Sequence, residues 1–381
     1  MTSQTTFANA KIVLPREVVQ GAVTIADGLI TAIDPGTAVA AGAIDCEGDY
    51  LCPGLIELHT DNLERHLSPR PRVDWPHDAA IIAHDTEMAG VGITTVFDAV
   101  RVGSIVTNAP SRYPRYARKL ADEISSMRRK GALRISHHLH LRAETCSETL
   151  PDELEEFGVD DRVGIVSLMD HTPGQRQFRD MEKFEVYIRG KRGMSGPEFQ
   201  DHVRHLTGLR ETLGDRHERA TIKAGLRLCA TLASHDDTTR AQVDASASHG
   251  VSIAEFPTTR EAAQACRDRG IQIVMGAPNL VRGASHSGNV AADDLAKRDL
   301  LDILSSDYVP ASLLQGAVQL GALWGDMARG LATVTSNAAA GCHLADRGRI
   351  APGLRADLTR FRLIGDVPLV RGVWSGGRRV G

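Results

Sequence analysis

Eight apolar runs, each breaking off at polar residues, recur along the middle of the chain. Tyr50 to Leu58 ends at His59, Thr60 and Asp61, Ile93 to Phe97 ends at Asp98, and Leu133 to Leu141 leads into Arg142 and Glu144. Val163 to Met169 leads into Asp170 and His171, and Leu226 to Ala233 into His235, Asp236 and Asp237. Val251 to Ala254 reaches Glu255, Ile271 to Met275 reaches Asn279, and Leu301 to Leu304 reaches Asp307. Such runs read as buried strands whose tips carry chemistry. Between most of them lie segments that suit helices, among them Ala79 to Ala89, Pro114 to Arg129, Pro197 to Arg210 and Arg260 to Arg269. Strands alternating with helices predict a parallel sheet, and eight such units over about 260 residues predict a closed (β/α)8 TIM barrel of the α/β class. Barrel active sites sit at the carboxyl ends of the strands, where these polar residues fall.

The ends of the chain have a different pattern. Ala10 to Leu14, Gly21 to Ile25 and Gly28 to Ile33 are short alternating pieces with turns, and Gly353 to Phe361 and Val370 to Val380 repeat that style after the barrel has closed. Residues 1–50 plus 345–381 are therefore expected to pair into one small β-sandwich domain beside a barrel of residues 51–344.

Composition adds little beyond an ordinary enzyme core. The chain has 381 residues, is 42% hydrophobic and carries a formal net charge of −4, so nothing marks it as a general nucleic-acid or membrane binder. No basic and apolar leader opens it, and no apolar run approaches the roughly 20 residues of a membrane span, which makes a cytoplasmic location the expectation. The six cysteines form no C-x-x-C pair and read as reduced, mostly buried thiols.

Side chains alternate faces along a strand, so His59 and Asp61 share a side and can hold one ion between imidazole and carboxylate. An H-x-D pair alone is weak, but His171 and His235 also follow strands with carboxylates alongside. With Glu144 and Asp307 they supply enough nitrogen and oxygen donors for two divalent ions, zinc being the first expectation and manganese or iron the alternatives. His138 and His140 read as hydrogen-bonded barrel residues rather than ligands. His77, His202, His205, His217 and His249 lie among charged residues and read as solvated.

These blocks bring a family into view. His59-Thr60-Asp61, the later strand-end histidines and Asp307 resemble the metal-dependent amidohydrolase superfamily. Longer stretches narrow the match: Pro53 to Glu64, Ser167 to Phe178, Ala233 to Asp237, Met275 to Val290 and Ile303 to Tyr308 resemble the alpha-D-ribose 1-methylphosphonate 5-triphosphate diphosphatases of the carbon–phosphorus lyase pathway. The resemblance implies hydrolysis of that triphosphate to the 5-phosphate and pyrophosphate, with a small-molecule triphosphate as partner, no nucleic acid and no membrane. A homo-oligomer is compatible with the sequence. Two departures stand out. Superfamily members often bridge their metals with a carboxylated lysine after the fourth strand, but here His171 occupies that place and Lys183 is the nearest lysine, so Glu144 is the expected bridge. Ser336-Asn337-Ala338-Ala339 also replaces an Asn-Pro-Ala turn, away from the chemistry.

A polyphosphate needs cations and an activated water. Asp307 is expected to orient and deprotonate that water. Arg142, Arg176 and Arg282 follow strands and are expected to clasp phosphate oxygens, although arginines pair more often with nearby acids. Asn279 and His286 join them, within or beside the donor-rich segment from Arg282 to Asn289. The basic run from Arg189 to Gly193 reads as solvated charge, with a lid as the alternative. The competing function is an amidohydrolase or cyclic-amide hydrolase acting on a C–N bond with the same metals.

Overall fold

The computed structural model describes residues 4–70, 73–108, 111–285 and 288–381. Eight parallel strands form its centre: Leu55–Thr60, Ile93–Val102, Ser136–Glu144, Val163–Met169, Thr231–His235, Ile253–Glu255, Gln272–Gly276 and Ile303–Ser305. They pair in sequence order. The last meets the first through a bridge between Thr60 and Asp307, where Thr60 Oγ1 and Asp61 N donate to Asp307 O at 2.8 and 3.1 Å. Ile56, Phe97, Ile165, Ala233, Ile253, Val274 and Ile303 pack in one buried cluster. A larger buried cluster joins the strands to the surrounding helices. This is the (β/α)8 barrel that the alternation predicts.

The two β-rich ends also pair, in one mixed sheet of eight strands. Tyr50–Pro53 lies antiparallel to Leu358–Ile364 and parallel to Gln4–Val13, so residues far apart in sequence share one sheet. Phe7, Ile12, Val23, Leu51, Leu358 and Trp374 form its core, with the Phe7 and Trp374 rings 4.6 Å apart and edge to face.

Several strand boundaries differ from the apolar pattern, most plainly in the opening run, which divides at Gly54 so that Tyr50–Pro53 joins the terminal sheet and only Leu55–Thr60 joins the barrel. The third strand begins at Ser136 rather than Leu133. The run from Leu226 opens in the last turns of a 32-residue helix, Gly196–Arg227, with Leu226 itself exposed and the strand starting at Thr231. That helix starts firmly, with Ser195 and Glu198 in a capping box and Pro197 in its first turn. It follows another helix, Met181–Arg192, so the insertion after the fourth strand is helical. Among the described residues no helix is long and apolar enough to cross a membrane. The six cysteines are free thiols, five of them buried.

Candidate active site

The floor of the site is a strand-end carboxylate to which the sequence reading gave no role. Glu255 ends the sixth strand, and its side chain is 2% exposed. Its Oε1 accepts from His59 Nδ1 at 3.0 Å, and its Oε2 from His235 Nδ1 at 3.1 Å and Ser167 Oγ at 2.9 Å. With Nδ1 of both imidazoles donating to one carboxylate, Nε2 of each is left to face a ligand above. Burial disfavours the charged form of Glu255, but the imidazoles of His59, His140 and His235 outweigh it and hold the carboxyl well below its usual range. His140 lies beneath His59, with Nδ1 2.8 Å from Leu58 O and Nε2 on Ser167 Oγ. His138 meets Arg162 Nη2 at 2.9 Å and stacks on Phe97.

Above this floor three imidazoles converge. The His59 and His235 rings lie 5.4 Å apart, and His171 stands 5.8 Å from His235. His171 Nδ1 is hydrogen-bonded to Glu144, whose carboxylate also accepts from the His171 backbone N–H at 3.2 Å. Burial works against the Glu144 anion, yet the His171 charge and hydrogen bonds bring its pKa down to about 2. Asp236 follows His235 in the left-handed region, with φ 57°, and Phe256 and Asp307 follow their strands with φ 56° and 53°. Left-handed backbone thus occurs at three strand ends around one cavity.

This ring of donors suits a divalent cation. Ligand atoms of His171, His235 and Asp236 lie within 4.8 Å of one another, as do those of His59, His235 and Glu255. Asp236 Oδ2 stands 3.1 Å from His235 Nε2 without hydrogen-bond alignment, which leaves a buried carboxylate oxygen with no donor. Burial opposes a charge on His235, but Asp236 and Glu255 overcome it and push its pKa up to about 10. Carboxylates that favour a proton on His235 also favour a metal ion beside it. Lys183, by contrast, pairs with Asp180 at 3.6 Å and is more than half exposed.

The cavity has a volume of about 830 Å³ and is lined by His59, Asp61, Glu144, His171, His235 and Asp307, the six expected ligands. The expected phosphate binders divide. Arg142 lines the cavity and is ion-paired with Asp61, whereas Arg176 donates to Asp237 Oδ1 at 2.6 Å and His235 O at 2.8 Å and is not among the lining residues. Asn279 lines the cavity but ties down the following loop, donating to Val290 O and accepting from Ala292 N, both at 3.1 Å. Arg282 lines the cavity, is exposed and makes no ion pair among the described residues. His286 lies outside the described residues.

Two lining groups, Arg101 and Arg112, escaped the sequence reading, while Asp236 and Glu255 were seen as strand-end acids but given no part in the site. Arg101 is in register with Arg142 on the neighbouring strand, so the strand-end rule that selected Arg142 could have selected it. The sequence reading also errs on two histidines. His202 and His217 are 2% and 1% exposed rather than solvated, and His202 lines the cavity with Nδ1 2.6 Å from Ser111 Oγ.

The fold is that of the amidohydrolases. An N-isopropylammelide isopropylaminohydrolase from Burkholderia multivorans covers 99% of this chain and 98% of its own at a TM-score of 0.63 and 15% identity. An N-acetylglucosamine-6-phosphate deacetylase from Pasteurella multocida covers 99% of both chains at 0.59 and 15% identity. No family model matches the chain. In sequence it is 42% identical over 377 residues to the alpha-D-ribose 1-methylphosphonate 5-triphosphate diphosphatase of Escherichia coli K12, covering 98% of this chain and 99% of that protein. An adenine deaminase from Geobacillus kaustophilus matches 53% of the chain at 30% identity. The chain belongs to the family of alpha-D-ribose 1-methylphosphonate 5-triphosphate diphosphatases.

Proposed function

We propose that the protein hydrolyses alpha-D-ribose 1-methylphosphonate 5-triphosphate to the 5-phosphate and pyrophosphate, as a cytoplasmic enzyme of phosphonate catabolism. The observation that carries this reading is a single cavity holding both a cluster of groups that could hold a cation and guanidinium groups that make no ion pair among the described residues, in a chain related over 98% of its length to such a diphosphatase. Divalent ions held by His59, Asp61, Glu144, His171, His235 and Asp307 would neutralise phosphate charge and acidify a water. The donor set suits two ions, with zinc first and manganese or iron as alternatives.

The chain's own groups divide the remaining work. Asp307, its backbone pinned by Thr60 and Asp61, accepts the proton of the attacking water at a carboxylate oxygen. The water oxygen bonds to the phosphorus nearest the sugar, and the bond to the bridging oxygen breaks with its electron pair leaving on pyrophosphate. Arg282 binds substrate oxygens, while Arg142 and Arg176 hold Asp61 and Asp237 in place. Hydrolysis of a C–N bond would use the same cluster but has no role for the unpaired guanidinium groups, so it is the weaker reading.

Turnover in ¹⁸O-enriched water, followed by phosphorus NMR, tests the proposal. Pyrophosphate should be released, with the label in the ribose 5-phosphate product. Label in the released fragment, or release of single phosphate, would place the attack further out. Ammonia release from amides with no pyrophosphate from the triphosphate would establish the competing function.

A further inference from the structure

Arg142 and Arg176 are accounted for by Asp61 and Asp237, but Arg101 is not. Its guanidinium carbon lies 3.8 Å from the centre of the Tyr113 ring, and its Nε is buried without a hydrogen-bond partner. Its side chain makes no ion pair among the described residues, yet it lines the cavity. The platform beneath it is fixed, because Tyr113 and Ile105 exchange backbone hydrogen bonds at 2.8 and 3.0 Å. The Arg101 main chain is fixed as well: its N–H donates to Tyr116 Oη at 2.9 Å, and that hydroxyl donates to Glu64 at 3.0 Å. A guanidinium lying on an aromatic face keeps its in-plane donors and loses little freedom when they engage an anion. Arg112 lines the same cavity, exposed and also without an ion pair among the described residues.

The wall built from the sixth and seventh strand ends differs. It offers Phe256, Met275 and Pro278 with Arg282 as its one lining guanidinium. The Arg101 side therefore presents two guanidiniums that make no ion pair among the described residues, beside the Arg142–Asp61 pair, Glu64 and Glu144, and the other side presents one guanidinium among apolar surfaces. The substrate is asymmetric in the same sense, since its outer phosphates carry most of the negative charge and its other end is a singly charged phosphonate ester with a methyl group.

We propose that Arg101, stacked on Tyr113 and with Arg112 beside it, seats the two outer phosphates that leave as pyrophosphate, while the Arg282 side takes the methylphosphonate end. This rests on the triphosphate reading and adds the direction in which the substrate lies.

The test is calorimetric titration of pyrophosphate into the metal-loaded enzyme, with Arg101→Lys and Arg282→Lys measured beside the wild type. Arg101→Lys keeps the charge but loses the fork and the stacking, and should weaken pyrophosphate binding by about tenfold or more. Arg282→Lys should leave it within about twofold, because that side chain meets the other end. Equal pyrophosphate affinity in wild type and Arg101→Lys, at unchanged melting temperature and metal content, overturns the proposal. A loss confined to Arg282→Lys overturns it too. Should Arg101→Lys fail to fold, Tyr113→Leu removes only the platform and is read in the same way. A wild type that releases pyrophosphate from the triphosphate while Arg101→Lys binds it unchanged sinks this seat alone. A wild type that releases none, but loses pyrophosphate affinity through Arg101→Lys, sinks the function reading and leaves the seat standing.

Discussion

Two buried clusters in this barrel are built alike, each with two imidazoles on the two oxygens of one carboxylate. At the mouth, His59 and His235 share Glu255. In the wall between the second and third strands and the helix His77–Gly90, His84 Nε2 and His137 Nδ1 share Asp98, at 2.8 and 2.7 Å. The difference lies in the remaining ring nitrogens. In the wall they are engaged, His84 Nδ1 by Asn62 Nδ2 at 3.0 Å and His137 Nε2 by Asp85 at 3.2 Å, and none of the three residues lines the cavity. At the mouth Nε2 of His235 meets only the misaligned Asp236, and both rings border the cavity. Ligand-type residues at ligand-type distances occur in both places. Unengaged nitrogens beside an open volume separate a metal centre from a fastener.

The sharpest break of this comparison is His235→Ala. Removing one imidazole at the mouth should cost about 10⁴ in rate, near 5.5 kcal/mol of barrier, and lower the metal content. Full activity with full metal in that variant would remove His235 from the site.

The wall cluster should respond in stability instead. His137→Ala leaves Asp98 and Asp85 buried without their shared partner, and breaking such a pair costs about 3–5 kcal/mol. Urea unfolding should show that loss while folded enzyme keeps its metal; metal loss at unchanged stability would make the wall a metal site after all. The pH dependence sharpens the test. Burial opposes the His137 cation, but Asp98 and Asp85 override it and raise its pKa to about 9. A raised histidine stabilises fully below its ordinary value near 6.5 and loses that contribution as pH rises through 9. Wild-type stability should therefore fall by about 3 kcal/mol across that window, and His137→Gln should not show the fall. Equal slopes in the two proteins would refute a charged His137.

Much of this was legible in the sequence because buried parallel strands are short and apolar and their ends deliver polar groups to one rim. The terminal sheet was legible for a similar reason, since alternating pieces at both ends need partners. Pairing across the barrel was not. Which acid an arginine meets depends on what stands opposite it in space, and Arg142 meets Asp61 across 81 residues while Arg176 meets Asp237 across 61. The same applies to His202 and His217, whose charged neighbours concealed the buried stripe of the Gly196–Arg227 helix. Glu255 looked like any strand-end acid until two imidazoles were seen to share it.

Glu255→Gln sets the finest test, because it changes the charge beneath the mouth cluster without emptying the space. The amide oxygen can accept from one imidazole, but the amide nitrogen is itself a donor and cannot accept from the other. One of His59 and His235 must then turn or change tautomer, and the negative charge that favours a cation above them is gone. Loss of such a supporting partner typically weakens metal binding by about 10–100-fold, or about 1.4–2.7 kcal/mol, less than removing a ligand outright. Titration with a chelator should show that weakening, and excess metal should restore most of the rate. A variant that holds metal as tightly as the wild type would mean that the two imidazoles are oriented by their strands alone.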